Sequence, residues 1–210
     1  FLGSIGQQAS MTWGMLFTQT VLLAGPAVIA VLYLGLPLRE TLSLRDPHPA
    51  DLGLALLAGI GLPGIGLLIS WAQEPVVPVP QAFTQQMQDA LLGDHSLLVV
   101  LATFALLPAV CEEILFRGAI QGMLRRSLSP LALCLLVGVL FGAFHLSLSR
   151  FLPTGILGAV LAYAALRSRS LAVPMVMHAL NNGLMLAAAH GGWLSEETDV
   201  PVGWLLGGAA

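Results

Sequence analysis

The sequence predicts an all-α fold, a polytopic transmembrane helix bundle of about six spans plus surface helices. Two properties of the composition carry that expectation. Mean hydropathy is +0.87, and charged residues make up only 9% of the 210 residues, where soluble domains carry about a quarter. A third observation is the layout. Apolar runs long enough to cross a hydrocarbon core of about 30 Å recur along the chain, and the charges fall mostly between them.

The first run covers about Trp13 to Leu36, with Trp13 placed as an interfacial aromatic and Pro26 as a kink. Residues 36–49 follow, with Arg39, Leu42, Leu44 and Arg45 suggesting a short segment on the membrane surface and His48 a solvated loop histidine between two prolines. The second run is about Asp51 to Trp71. Its Gly59, Gly61, Gly64 and Gly66 are of the small type that lets helices approach closely in lipid. Residues 81–93 read as a weakly amphipathic surface helix, and Asp94-His95-Ser96 as the N-cap of the next. The third run, about Ser96 to Arg125, has Pro108 as a bend that makes room for water. The fourth, about Pro130 to Leu148, contains His145 and a G-x-x-x-G face at Gly138 and Gly142. The fifth is about Phe151 to Leu166 and the sixth about Leu171 to Ala189. The tail, residues 191–210, reads as interfacial or a partial span.

This gives an N-terminal span and interfacial segment (1–50), a membrane bundle (51–190) and the tail. The opening residues 1–8 carry no basic n-region, so they are not a signal peptide, and the chain is expected to continue from a longer one. Every basic residue is arginine. Arg39 and Arg45, Arg125 and Arg126, and Arg167 and Arg169 occupy every second connection, which by the positive-inside rule makes those loops cytoplasmic. Arg150, read as part of a short loop between the fourth and fifth runs, is the exception. The net charge of −3 points to no nucleic-acid partner. Cys111 and Cys134 lie inside apolar runs, fit neither a disulfide framework nor a C-x-x-C pattern, and read as small buried residues.

Against this apolar background, ionisable groups inside the runs mark a functional site. Glu112-Glu113-Ile114-Leu115-Phe116-Arg117 reads E-E-x-x-x-R. Glu113 and Arg117 are four apart, share a helix face and read as an ion pair. Glu112 points about 100° away, so its partners are expected from other helices: His145, His178 and Asn182. Phe141 and His145 share a face, as do His178 and Asn182, while Asn181 reads as packing beside the site. An acid or base, a cation, two imidazoles and an amide around one wet cavity are enough for water-mediated acyl hydrolysis. One buried structural network is the alternative reading of the same residues.

E-E-x-x-x-R, then F-x-x-x-H, then H-x-x-x-N, on successive apolar helices, resembles the CPBP family of CAAX proteases and bacteriocin-processing proteins, also called Abi. The resemblance covers about residues 96–190. It implies an intramembrane endopeptidase with its site facing the cytoplasmic half. Glu112 would activate water, Glu113 and Arg117 would brace it, His145 would position the water or a metal, and His178 with Asn182 would stabilise the oxyanion. Family members have been described as metalloproteases. Glu112, His145 and His178 would supply the ligands if a divalent metal such as zinc is used, since catalytic zinc commonly takes three protein ligands. The sequence has no H-E-x-x-H.

The expected partners are a membrane-associated peptide substrate, the lipid bilayer of a bacterial inner membrane, and a fused or partner transporter. Two other classes stay open at this point: a non-catalytic immunity or scaffold protein of the same fold, and a transporter or channel with a proton relay.

Overall fold

The computed structural model describes residues 12–79 and 96–191. The predicted surface helix at 81–93 and the tail lie outside the described residues. Those described are helical, with no strand among them. The helices are α1 (Thr12–Tyr33), α2 (Leu38–Thr41), α3 (Pro49–Gln73), α4 (Leu97–Leu124), α5 (Pro130–Phe144), α6 (Leu148–Ser168) and α7 (Ala172–His190). All but α2 and α5 are long and apolar enough to cross a membrane, which makes this an integral membrane protein. Trp13 and Trp71 are exposed at one end of the bundle, Tyr33 and Tyr163 towards the other. Twenty residues of helix between Trp13 and Tyr33 span about 30 Å, the thickness of a hydrocarbon core.

The fourth apolar segment is shorter than expected. Its helix stops at Phe144, His145 caps it, and Leu146 turns the chain with a left-handed φ of 51°. At 15 residues α5 reaches about 22 Å, short of a full span. Arg150 is therefore not a loop residue. It sits buried in the first turn of α6, which removes the exception to the alternation of basic loops.

Glycine decides how α5 and α6 meet. A Cβ on Gly138 would stand 2.7 Å from the Gly155 carbonyl oxygen, and one on Gly142 would stand 2.5 Å from that of Phe151. The expected G-x-x-x-G face is thus the antiparallel α5–α6 contact. In α3 only Gly59 has such a role, against Leu180 and Met177 of α7; Gly61, Gly64 and Gly66 face open space. The segment after α1 packs more deeply than a surface strip would. Thr41 and Leu42 are buried, and Leu42 joins Ala27, Val31 and Ala119 in a core cluster. His48 has a local task as well, capping α3 by accepting the Ala50 N–H on Nδ1 at 3.2 Å.

Two of the interior prolines, Pro26 and Pro108, follow widened turns. A π-helical stretch at Thr18–Ala24 precedes Pro26, and another at Ala102–Leu106 precedes Pro108. Proline removes one backbone donor and crowds the carbonyl one turn back, and a wider turn relieves both. A third stretch, Ile114–Ile120, begins directly after Glu113 and carries Arg117. Widened turns of this kind are frequent at functional sites.

Candidate active site

Glu112 and Glu113 end the α-helical stretch Leu107–Glu113 near the middle of α4, and both are buried. Their partners differ in kind. Glu113 Oε1 accepts from Arg117 Nη1 at 2.7 Å and from His178 Nδ1 at 2.9 Å. The guanidinium is held from its other side, where Nη2 donates to the Gly158 carbonyl at 2.9 Å. Glu112 Oε1 accepts instead from the neutral amide of Gln19, on α1, at 2.9 Å. Oε2 of each carboxylate has no hydrogen-bond partner among the described residues.

Phe141 organises the imidazoles. Its ring meets His145 edge-on at 5.0 Å and His178 at 5.7 Å, and the Arg117 guanidinium lies over it at 4.4 Å. That guanidinium–ring contact adds to the ion pair in holding Arg117. The ring fits because Gly158 faces it; a Cβ there would stand 2.9 Å from the Phe141 Cβ. His145 Nδ1 is 2.8 Å from the Phe141 carbonyl oxygen. A carbonyl only accepts, so Nδ1 carries the proton and Nε2 of the neutral ring is the basic nitrogen. Asn182 is fully buried one turn beyond His178, and Asn181 donates to its Oδ1 at 3.1 Å. That bond uses the acceptor end of Asn182, whose other end, the NH₂, can only donate.

The structure thus brings Glu113, Arg117 and His178 into one hydrogen-bonded unit, with Phe141 linking it to His145. His178 was expected on Glu112, but it is bonded to Glu113. Glu112 still lies within electrostatic reach of His178, Glu113 and Arg117. Two participants were not singled out from the sequence. Gln19 is one, a buried polar residue inside the first apolar run, which is the kind of signal that marks a site. Arg150 is the other, since burial places its charge within reach of Glu112.

The resemblance implied Glu112, His145 and His178 as ligands only if a metal is used. Among the described residues no three His, Cys, Asp or Glu side chains are gathered for that purpose. With Nδ1 of His145 on the Phe141 carbonyl and Nδ1 of His178 on Glu113, Nε2 is the nitrogen by which either ring would meet a metal.

Residues 94–184 match the family model described as type II CAAX prenyl endopeptidase Rce1-like. This segment is an Rce1-like domain. It contains Glu112, Glu113, Arg117, Phe141, His145, His178 and Asn182, while Gln19 lies outside it. The family is one of endopeptidases, so hydrolysis of a protein or peptide is the activity that the Rce1-like domain implies. No curated protein and no solved structure matches the chain.

Proposed function

We propose that this protein is an intramembrane endopeptidase that hydrolyses a peptide bond of a membrane-associated protein or peptide with water activated by Glu112. The observation that carries this reading is the unlike pairing of the adjacent carboxylates. A guanidinium offsets the charge of Glu113 at 2.7 Å, whereas Glu112 has a neutral donor and an oxygen to spare. A base must accept a proton in the transition state, and a carboxylate not tied to a cation does so more readily.

In the proposed reaction Glu112 takes a proton from water as the water oxygen attacks the scissile carbonyl carbon. His145, with its ring fixed by the Phe141 carbonyl, accepts a hydrogen bond from that water at Nε2. The tetrahedral oxyanion receives a hydrogen bond from the Asn182 NH₂. His178 can add a second donor at Nε2 only as the imidazolium, because its Nδ1 already faces Glu113. Glu113 is the counter-charge for that form. Glu112 then returns its proton to the amide nitrogen as the C–N bond breaks. No step is routed through a metal.

By the alternation of basic loops, the ends of α1, α4 and α6 face the cytoplasm. The α5–α6 turn then lies at the opposite end of α5.

The test is cleavage of a library of membrane peptides by the wild type, Glu112→Ala and Glu112→Gln, after insertion and folding are confirmed. Cleavage by the wild type and its loss in both variants is expected. Retained cleavage sinks the role of Glu112, and wild-type binding without any cleavage favours an immunity or scaffold protein.

A further inference from the structure

The arginines outside the catalytic reading are not scattered. A cavity of about 530 Å³ at one end of the bundle is lined by Arg45, Arg125, Arg126, Arg167 and Arg169, with Arg117 beneath them. These are six of the chain's eight basic residues. The lining contains one acid, Glu40. Among the described residues none of the five rim arginines is ion-paired; the ion pairs present both end on Glu113. Arg117, almost fully buried, makes two hydrogen bonds through its terminal nitrogens, and its Nε has no partner among the described residues.

Like charges converging on one cavity repel, and folding has to hold them there. The backbone does so. Ser170 Oγ donates to the Arg45 carbonyl at 2.7 Å, and the Leu171 N–H donates to the Ser43 carbonyl at 2.9 Å. Ser43 and Arg169 both take left-handed conformations, with φ of 54° and 53°, a geometry uncommon for residues other than glycine. Two loops distant in sequence are thus stitched together, with an arginine on each. Gly122 lets Thr41 close the same region, since a Cβ there would collide with the Thr41 carbonyl oxygen.

We infer that this cavity is a binding site for a phosphate-bearing anion, supplied by the headgroup of an anionic phospholipid. Guanidinium forks match phosphate oxygens in geometry and charge. The position fits a lipid source. Helices α4 and α6 end here and α5 and α7 begin, Tyr163 is exposed in the lining, and Leu166 and Pro130 give it an apolar side. Basic pockets between membrane helices at headgroup level take anionic lipids in this way. The floor at Arg117 links the site to Glu113 and His178, so an occupied cavity would steady the same ion pair that braces the candidate active site.

The experiment uses the full chain in nanodiscs of phosphatidylcholine alone, of phosphatidylcholine with anionic phospholipid, and of phosphatidylcholine with millimolar inorganic phosphate added. Melting temperature and the lipid retained in native mass spectrometry are both read. Anionic lipid is expected to raise the melting temperature by several degrees and to remain bound as a discrete adduct. Arg126→Gln/Arg169→Gln should lose both effects. Arg39→Gln should keep them, because Arg39 lies outside the lining and its Nε is spent on the Leu44 carbonyl. If the double variant does not fold, Arg126→Gln alone with the adduct readout replaces it, and an adduct as abundant as the wild type's overturns the site. Equal shifts in wild type and double variant would mean a general surface-charge effect and overturn the proposal. A shift given by inorganic phosphate but not by the lipid would reassign the source to free phosphate.

Discussion

Gln19 donates a 2.9 Å hydrogen bond to Oε1 of Glu112 from a helix far away in sequence. The donor is neutral, so it orients the carboxylate without cancelling its charge. Gln19 and Glu112 are both buried among apolar side chains, where an amide hydrogen bond to a carboxylate is worth about 1.5–3 kcal/mol. If Glu112 is the base, its conversion to Gln keeps shape and removes basicity. The expected result is a fall in kcat of about 10²–10⁴-fold with little change in melting temperature, measured on a cleavable membrane peptide. A similar fall in melting temperature and activity would assign Glu112 a structural role instead.

Gln19→Leu separates orientation from basicity. The variant leaves the carboxylate in place and removes its donor. Activity should fall less than in Glu112→Gln, by about 10–100-fold if the lost bond is worth its usual energy, and Gln19→Glu should be worse than Gln19→Leu because it sets two carboxylates face to face. Activity equal to the wild type in Gln19→Leu would show that the contact does not hold the base.

The helical architecture was legible because lipid makes it so. A span must satisfy its own backbone and present apolar side chains for about twenty residues, and the described spans follow runs visible in the sequence. The E-E-x-x-x-R spacing likewise showed the Glu113–Arg117 pair, since residues four apart meet on one helix. Contacts between helices were not legible in the same way. Nothing local says that His178 turns to Glu113, that Gln19 answers Glu112, or that Gly158 yields space to Phe141; each depends on how separate helices rotate about their axes. The π-helical stretches add to this, because each shifts the facing of everything beyond it. Arg150 was misplaced because α5 ends at Phe144, a boundary that an unbroken apolar run through Leu140, Phe141 and Phe144 conceals.

The Glu113–Arg117–His178 unit should fail through stability first. Removing one partner of a buried ion pair leaves the other charge uncompensated and costs about 3–5 kcal/mol. Arg117→Met is expected to lower the melting temperature in detergent sharply, and Glu113→Gln/Arg117→Met to recover much of it, because no lone charge is then left buried. Additive losses in the double variant would mean that the two side chains act independently, against the 2.7 Å bond.

Gly158 tests the packing behind the imidazoles. A methyl group there must displace Phe141, whose ring borders both His145 and His178. Forcing an extra methyl into a packed core costs about 1–3 kcal/mol. Gly158→Ala should therefore lower both stability and activity, and Gly158→Ala/Phe141→Leu should restore stability more than activity. Thermal melts read beside cleavage rates distinguish the two effects; unchanged rates in Gly158→Ala would show that the Phe141 position does not matter to the reaction.

Metal dependence has a direct test. The described residues gather no set of three His, Cys, Asp or Glu. A catalytic zinc site commonly uses three protein ligands and an open position. Prolonged treatment with a strong chelator is therefore expected to leave cleavage unchanged, and purified protein to contain zinc well below one equivalent. Activity lost to the chelator and restored by zinc would overturn the metal-free reaction. Stoichiometric zinc that disappears in His145→Ala would place the metal at the site, on His145 Nε2, with the Nδ1–H bond to the Phe141 carbonyl kept.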